Sequence, residues 1–371
     1  MTIDTGTGIP HILTGIDLPH DGPGGSVELL RDLYLKSDCP LPADVFMLSS
    51  ETEDVSGSSV KSPTLLSVPG KAISGDSFWA YVDRLSIALK ERFSASDYDV
   101  LHLQHLTFGA TPALQRTFPE QAKIAFVHGT DLLYAAENKT QANVLRMTVD
   151  TSDAIVVPTS AMADHLRMIS PVELDRIAHI PWGVPDHLLR QHGIRTQRHS
   201  STLRVLYAGR LTAEKTTLSI FSAVAELDGV ELSIAAPPTE YSRFAQRGHL
   251  SAVRYLGWLS RRGLWREFAK HDLLIIPSLK LEAFGLVAIE AQACGLPVMY
   301  QPVPGLSEVV GDSGLALDFG DVEGLSTQLK KIRASRSLLE EMSAAGLANS
   351  KRFPLSKTAL ALSDLSVHIM P

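Results

Sequence analysis

Cysteine is almost absent from this 371-residue chain: Cys39 and Cys294 stand far apart, with no C-x-x-C pair. That excludes a disulfide-stapled scaffold and fits a reducing cytoplasm. Long apolar runs are missing too, none approaching the roughly 20 residues of a membrane-spanning helix. Met1-Thr-Ile-Asp-Thr-Gly has neither the basic start nor the apolar stretch of a signal peptide. Nor is there a basic surplus. The formal charge is −7. Residues 1–185 hold 13 Lys+Arg against 23 Asp+Glu, a net of −10, and the remainder holds 21 against 18, a net of +3. Neither half has the concentrated basic face that nucleic acid asks for, and an acidic first half argues against docking on anionic lipid. A soluble, cytoplasmic protein with no nucleic-acid or membrane partner is expected.

What is present is ordinary globular material, 44% hydrophobic and 20% charged, long enough for two domains. Short β-branched or leucine-rich runs (His11–Ile16, Asp99–Leu103, Lys123–His128 and Asp153–Pro158) alternate with helical patterns over 26–35 and 78–89. Runs of this kind read as strands buried on both faces of a parallel sheet. Residues 189–203 are polar and aperiodic, as in a linker. The alternation then restarts at Leu203–Gly209, Val230–Ala235, Val253–Gly257 and Leu273–Pro277. Two α/β domains joined by one hinge follow. The Ser-, Glu- and Thr-rich stretch 51–63 reads as a surface loop.

The strongest chemical signal is Glu282-Ala-Phe-Gly-Leu-Val-Ala-Ile-Glu290, directly after a strand. A carboxylate precedes a helix, and a glycine lets a ligand approach the backbone. The amides near Phe284, Gly285 and Leu286 form an anion and hydroxyl site at the helix mouth. Glu282 and Glu290, with those amides between them, suit the vicinal hydroxyls of a sugar and a ribose. The plain alternative is a capping Glu282 before a buried helix, with Glu290 solvated.

With its flanking Pro277-Ser278 and Gly295-Leu-Pro-Val298, this segment resembles the retaining nucleotide-sugar glycosyltransferases of the GT-B fold, glycosyltransferase family 4 in particular. Val205-Leu-Tyr-Ala-Gly-Arg-Leu-Thr-Ala-Glu-Lys215 resembles the same family's Gly-Arg-Leu element. The resemblance implies that Arg210 and Lys215 hold the donor diphosphate, and two cations at a strand end can neutralise a charged leaving group without a metal. Gly22-Pro-Gly-Gly25-Ser26 is similar to its glycine-rich loop, placing Gly24 and Gly25 toward the donor phosphates and Ser26 toward the acceptor. Phe126-Val-His-Gly resembles the strand end that sets His128 beside the sugar. Asp131 then meets acceptor hydroxyls or amines, or else caps a helix.

Three further stretches carry weaker likenesses: Pro181-Trp-Gly-Val, Val253–Leu259 and Val303-Pro-Gly-Leu-Ser-Glu-Val-Val, whose Gly305 and Glu308 lie toward the nucleotide. Where the family commonly has a glycine-rich turn, this chain has Ala235-Ala-Pro-Pro-Thr239. His102 and His105 read as packed histidines, since a strand-end H-x-x-H lacks the helical spacing of a zinc pair. Asn138-Lys-Thr is a sequon without consequence in an unsecreted chain. Residues 261–270 read as a surface helix with Leu264, Trp265 and Phe268 turned inward, in preference to a membrane-facing amphipathic helix.

The resemblance implies two Rossmann-like domains facing a central cleft: 1–188 on the acceptor side, a linker at 189–203, 204–349 binding the nucleotide sugar, and 350–371 packing back on the first. It implies an enzyme, a retaining and metal-independent glycosyltransferase. The co-substrate is a UDP- or GDP-linked sugar, with no cofactor and no metal, since no Asp-x-Asp motif stands at a matching place. The acidic first half points to a small soluble acceptor, cationic or zwitterionic, with an amine-bearing secondary metabolite as the leaning. A nucleotide-sugar epimerase, a phosphorylase and a binding protein without turnover stay open, as does a homodimer.

Overall fold

The computed structural model describes residues 9–20, 22–36, 41–49, 62–190, 201–248, 250 and 252–370. Two compact units divide the chain: one runs to Trp182 and includes the last helix from Leu355, and the other is Gly183–Pro354. The sequence reading set a linker at 189–203 and a closing segment from 350. The units instead change over at 182/183 and 354/355, and residues 191–200 lie outside the described residues. Hydrogen bonding explains the shift. The Val184 amide donates to the Phe353 carbonyl at 3.0 Å, tying 183–190 into the second unit. In the first unit, the hydroxyl of Thr358 donates to the Pro181 carbonyl at 2.8 Å, and Ser366 and His102 share a hydrogen bond of 2.9 Å.

The first unit is built on seven parallel strands: β1 Ile12–Pro19, β2 Ala43–Leu48, β3 Thr64–Leu66, β4 Val100–Leu103, β5 Ala122–Phe126, β6 Ala154–Val157 and β7 Ile177–His179. Their order is β3-β2-β1-β4-β5-β6-β7. The central strands β4 and β6 are buried at every position, as apolar runs without alternation demand. The second unit has six parallel strands: β8 Leu203–Ala208, β9 Val230–Ala235, β10 Arg254–Gly257, β11 Leu273–Ile276, β12 Val298–Tyr300 and β13 Leu315–Ala316, ordered β10-β9-β8-β11-β12-β13. Phe221 and Ile220 of the helix Leu218–Ala225 meet Leu325, Leu329 and Ile332 of Val322–Ala334 in its core.

In each sheet the order reverses beside the first strand of the unit, between β1 and β4 and between β8 and β11. The crevice outside the carboxyl ends of the strands at such a reversal is the usual place for a ligand in sheets of this kind.

The helix expected over 26–35 is present as Gly25–Leu30, continued by a π-helical turn through Leu35. Most of the 51–63 loop lies outside the described residues. In the helix Arg261–Phe268, Phe268 is buried and Trp265 and Leu264 are half-buried. Among the described residues no helix is long and apolar enough to cross a membrane.

An ion pair aligns the strands that flank the second crevice. Asp272 accepts from Arg204 Nε at 3.0 Å, Arg204 Nη2 at 2.8 Å and the Arg204 amide at 3.0 Å, fixing the start of β8 against β11. Asp272→Ala strands these donors and should cost about 1.5–3 kcal/mol, read as a lower denaturation midpoint at unchanged slope. An unaltered midpoint would show that the clamp adds nothing.

Candidate active site

Two loops meet at the β8/β11 reversal, 209–217 after β8 and 277–285 after β11. They are joined by backbone bonds from Leu279 and Lys280 to the Glu214 carbonyl, at 2.8 and 3.3 Å. Across the same gap, Lys215 Nζ pairs with Glu282 Oε2, which also accepts from the Ser278 hydroxyl at 3.2 Å. The structure therefore brings together two residues 67 positions apart. Both remain partly open, with the lysine side chain 34% and the glutamate 20% exposed.

The helix Leu286–Ala293 starts beside this pair. Gly285, at φ 81°, is its N-cap, and no side chain caps it, so the amides of the first turn present partial positive charge. Two glycines allow this closeness. A Cβ on Gly285 would lie 2.4 Å from Leu306 Cδ2, and one on Gly305 only 1.8 Å from the Glu282 carbonyl oxygen. Gly305 is thus a packing residue under the Glu282 loop. Phe284 buries its ring edge-on against Phe353 at 5.2 Å, leaving its backbone as the part that can meet a ligand.

Arg210 does not stand free. Its Nε donates to Glu240 Oε1 at 2.9 Å and its Nη2 lies 2.8 Å from the same oxygen. Glu290 departs further from its expected role of holding a ribose. It is 5% exposed. Oε1 lies 2.9 Å from Arg261 Nε and Oε2 accepts from the Trp265 indole at 3.0 Å. A buried carboxylate needs such partners, and they leave little of it to a hydroxyl pair.

In the first unit, Gly24 precedes the helix that begins at Gly25, and Ser26 is half-buried. His128 follows β5. Its Nε2 is buried with no hydrogen-bond partner, and burial, then His105, holds its pKa well below the ordinary histidine value. The imidazole is therefore neutral. The Trp182 ring stacks on it at 5.5 Å and 24°, and the indole nitrogen of Trp182 is likewise buried and unpartnered. The His105 ring lies 4.8 Å from that of His128, the Phe108 ring 5.2 Å from His105, and the Tyr134 ring 5.3 Å from Phe108. This row of five rings was missed in the sequence because its members come from four separate segments.

Asp131 corrects an expectation. It is fully buried, and its carboxylate accepts from the amides of Leu132 at 3.1 Å, Leu106 at 3.2 Å and His128 at 3.3 Å. It props the His128 backbone and presents no face to an acceptor. Burial outweighs those amides and raises its pKa to about 6. Gln141 and Asp17 complete the support, accepting from the amides of Phe108 at 2.8 Å and Gly109 at 3.2 Å. Phe108, at φ 67°, carries the one positive φ of a non-glycine residue among those described. Among the described residues no three His, Cys, Asp or Glu side chains are grouped to hold a metal ion.

The sequence profile described as "Glycosyltransferase Family 4" matches residues 42–188, and "Glycosyl transferases group 1" matches 202–335. A D-inositol 3-phosphate glycosyltransferase of Mycobacterium avium is 30% identical over 293 residues, 71% of this chain and 68% of that protein. The chain belongs to glycosyltransferase family 4. A namesake from Mycobacterium marinum is 32% identical over 253 residues, 61% of this chain and 53% of its own length. The family 4 chain thus spans about half to two thirds of the length of the D-inositol 3-phosphate glycosyltransferases it matches. Among solved structures, sucrose-phosphate synthase from Thermosynechococcus elongatus superposes with a TM-score of 0.78 at 19% identity, over 96% of this chain and 98% of that one. Anabaena HepE in complex with UDP and glucose gives 0.72 at 17%, over 96% and 99%. These likenesses show the fold: two Rossmann-like domains of the GT-B type.

Two expectations follow for this family 4 chain. Removing one partner of the buried Arg261–Glu290 pair leaves an uncompensated charge, so Arg261→Ala should destabilise by about 3–5 kcal/mol in denaturant titration. A loss under about 1 kcal/mol would contradict the burial.

The second concerns acid. Burial holds His102 and His105 neutral, with pKa values lowered to about 3. The unfolded chain takes up their protons first, so their stability contribution is lost as pH falls from about 6.5 toward 3, at about 2 kcal/mol each by pH 5. Asp131, raised to about 6, acts in the opposite sense and returns about 1 kcal/mol over that range. Net stability should fall from pH 7 to pH 5. Melting that is flat or rising over that interval would refute the assignment.

Proposed function

We propose that the chain transfers a glycosyl group from a nucleoside-diphosphate sugar to a small acceptor, with retention of anomeric configuration and without a metal. The observation that carries this reading is the Lys215–Glu282 pair spanning the β8/β11 reversal beside an uncapped helix N-terminus. That arrangement offers a cation and amides for a diphosphate, with a carboxylate for sugar hydroxyls. The family's named activity and the UDP found with a neighbour of the same fold support it.

In the proposed reaction the bond from the anomeric carbon to the diphosphate breaks. Lys215, Arg210 and the amides of 284–286 take up the charge developing on the leaving oxygen, as preorganised donors do most effectively. Glu282 orients the sugar, while buried Glu290 holds Arg261 and Trp265. The acceptor bonds to the same face of the anomeric carbon and passes its proton to the departing phosphate. In the first unit, Gly24 and Gly25 bring backbone toward the donor, Ser26 meets the acceptor, and neutral His128 has an unpartnered nitrogen for a hydroxyl.

The acceptor reading rests on charge and surface. A net of −10 over residues 1–185 repels a phosphate-bearing acceptor and attracts an amine, and the ring row ending at half-exposed Phe108 and exposed Tyr134 suits a compact ring system. A water-soluble amine-bearing metabolite in the cytoplasm is the acceptor class proposed.

The test incubates the protein with UDP- and GDP-sugars and a panel of neutral and amine-bearing acceptors, following anomeric protons by NMR. An α-linked product from an α-linked donor is expected, with Lys215→Ala lowering kcat about 10²–10³-fold. An inverted product contradicts retention. Conversion of the donor to another nucleotide sugar without acceptor points to an epimerase.

A further inference from the structure

No sequence motif singles out Glu240. It lies in the first turn of the helix Pro238–Ala245, which opens on Pro237-Pro238 where the family resemblance would place a glycine-rich turn. A carboxylate in that turn is favoured by the helix dipole, yet this one is not spent on its own helix. Oε2 accepts from the Leu211 amide at 2.7 Å, and Oε1 lies 2.9 Å from Arg210 Nε and 2.8 Å from Nη2. The Tyr207 hydroxyl holds the same segment too, donating to the Arg210 carbonyl at 2.5 Å. Both the side chain and the backbone of Arg210 are therefore tethered.

An exposed ion pair is usually worth little, and Arg210 is half-exposed. What distinguishes this one is that a single carboxylate secures the guanidinium and the next backbone amide together. A guanidinium carries five N–H donors; Glu240 takes two and leaves three to turn toward an anion. The cost is charge, because the carboxylate cancels part of the cation's pull on a distant anion. What it gains is orientation, which matters where donors must meet a leaving oxygen without reorganising.

We propose that Glu240 is a positioning residue that fixes the Arg210 guanidinium for the diphosphate of the donor, with the rigid Pro237-Pro238 entry setting the carboxylate in place. This rests on the reading of Arg210 given under the proposed function. It also accounts for the altered turn: a glycine-rich loop would offer its own amides to phosphate, whereas this chain reaches the same charge through a side-chain relay from the helix that follows the neighbouring strand.

The test is a double-mutant cycle on the full chain, measured as calorimetric affinity for UDP and for GDP, with far-UV spectra and melting temperatures confirming that each variant is folded. Arg210→Ala should weaken the better-bound nucleotide about tenfold or more. Glu240→Ala should weaken it about fivefold, and the near-isosteric Glu240→Gln, which keeps an acceptor oxygen, about twofold; both losses should vanish in the Arg210→Ala background. Should Glu240→Ala misfold, the Glu240→Gln cycle decides alone. Glu240 variants that bind as well as or better than wild type, or losses that simply add to that of Arg210→Ala, overturn the positioning role and leave the diphosphate reading standing. An Arg210→Ala variant binding like wild type, or a wild type that binds neither nucleotide, defeats the diphosphate reading itself, and Glu240's role with it.

Discussion

The site depends on two opposite charges meeting across a gap that the sheet topology creates. Lys215 leaves β8 on one loop and Glu282 leaves β11 on another, and beside the point where the strand order reverses the two loops meet. A buried sheet cannot place a polar pair of this kind in its interior without large desolvation cost; at the carboxyl ends the pair stays half-solvated and poised. The remaining features of the second unit serve that meeting. The Arg204–Asp272 clamp sets the strand register, the Glu214 carbonyl ties the two loops, and Gly305 lets a helix lie against the Glu282 backbone.

The charges of this site are held by partners. Lys215 has Glu282, Arg210 has Glu240 and Glu290 has Arg261. A cluster of unpaired ions at these distances would be costly to fold, so each is neutralised in place, and any incoming anion exchanges partners or adds to them. In the first unit the same economy appears with neutral groups. His128 is stripped of its charge by burial and lined by aromatic rings, while Asp131, Asp17 and Gln141 spend their oxygens on loop amides.

The α/β class, eight strands and the second crevice were legible because fully buried parallel strands read as apolar runs and because Gly-Arg-Leu and the two-glutamate segment are contiguous in sequence. Short strands such as β3 and β13 were not legible, since two or three residues carry no periodicity. The partners of the candidate site residues were not legible. Nothing in local sequence links Arg210 to Glu240 or Glu290 to Arg261, because those pairings are set by packing between elements some 30 residues apart. Asp131 was assigned outward from its position after a strand end, and burial turned it inward. The ties at 182/183 and 354/355 were not legible for a similar reason: a backbone bond at Val184 and the packing of the last helix leave no local mark, whereas the polar stretch at 189–203 reads as a hinge.

The most direct measurement is diffraction from crystals soaked with UDP or GDP. The account predicts diphosphate density against Lys215, Arg210 and the amides that open the helix Leu286–Ala293. Nucleotide density elsewhere on the chain, or a clear map with that crevice empty at saturating ligand, would contradict it.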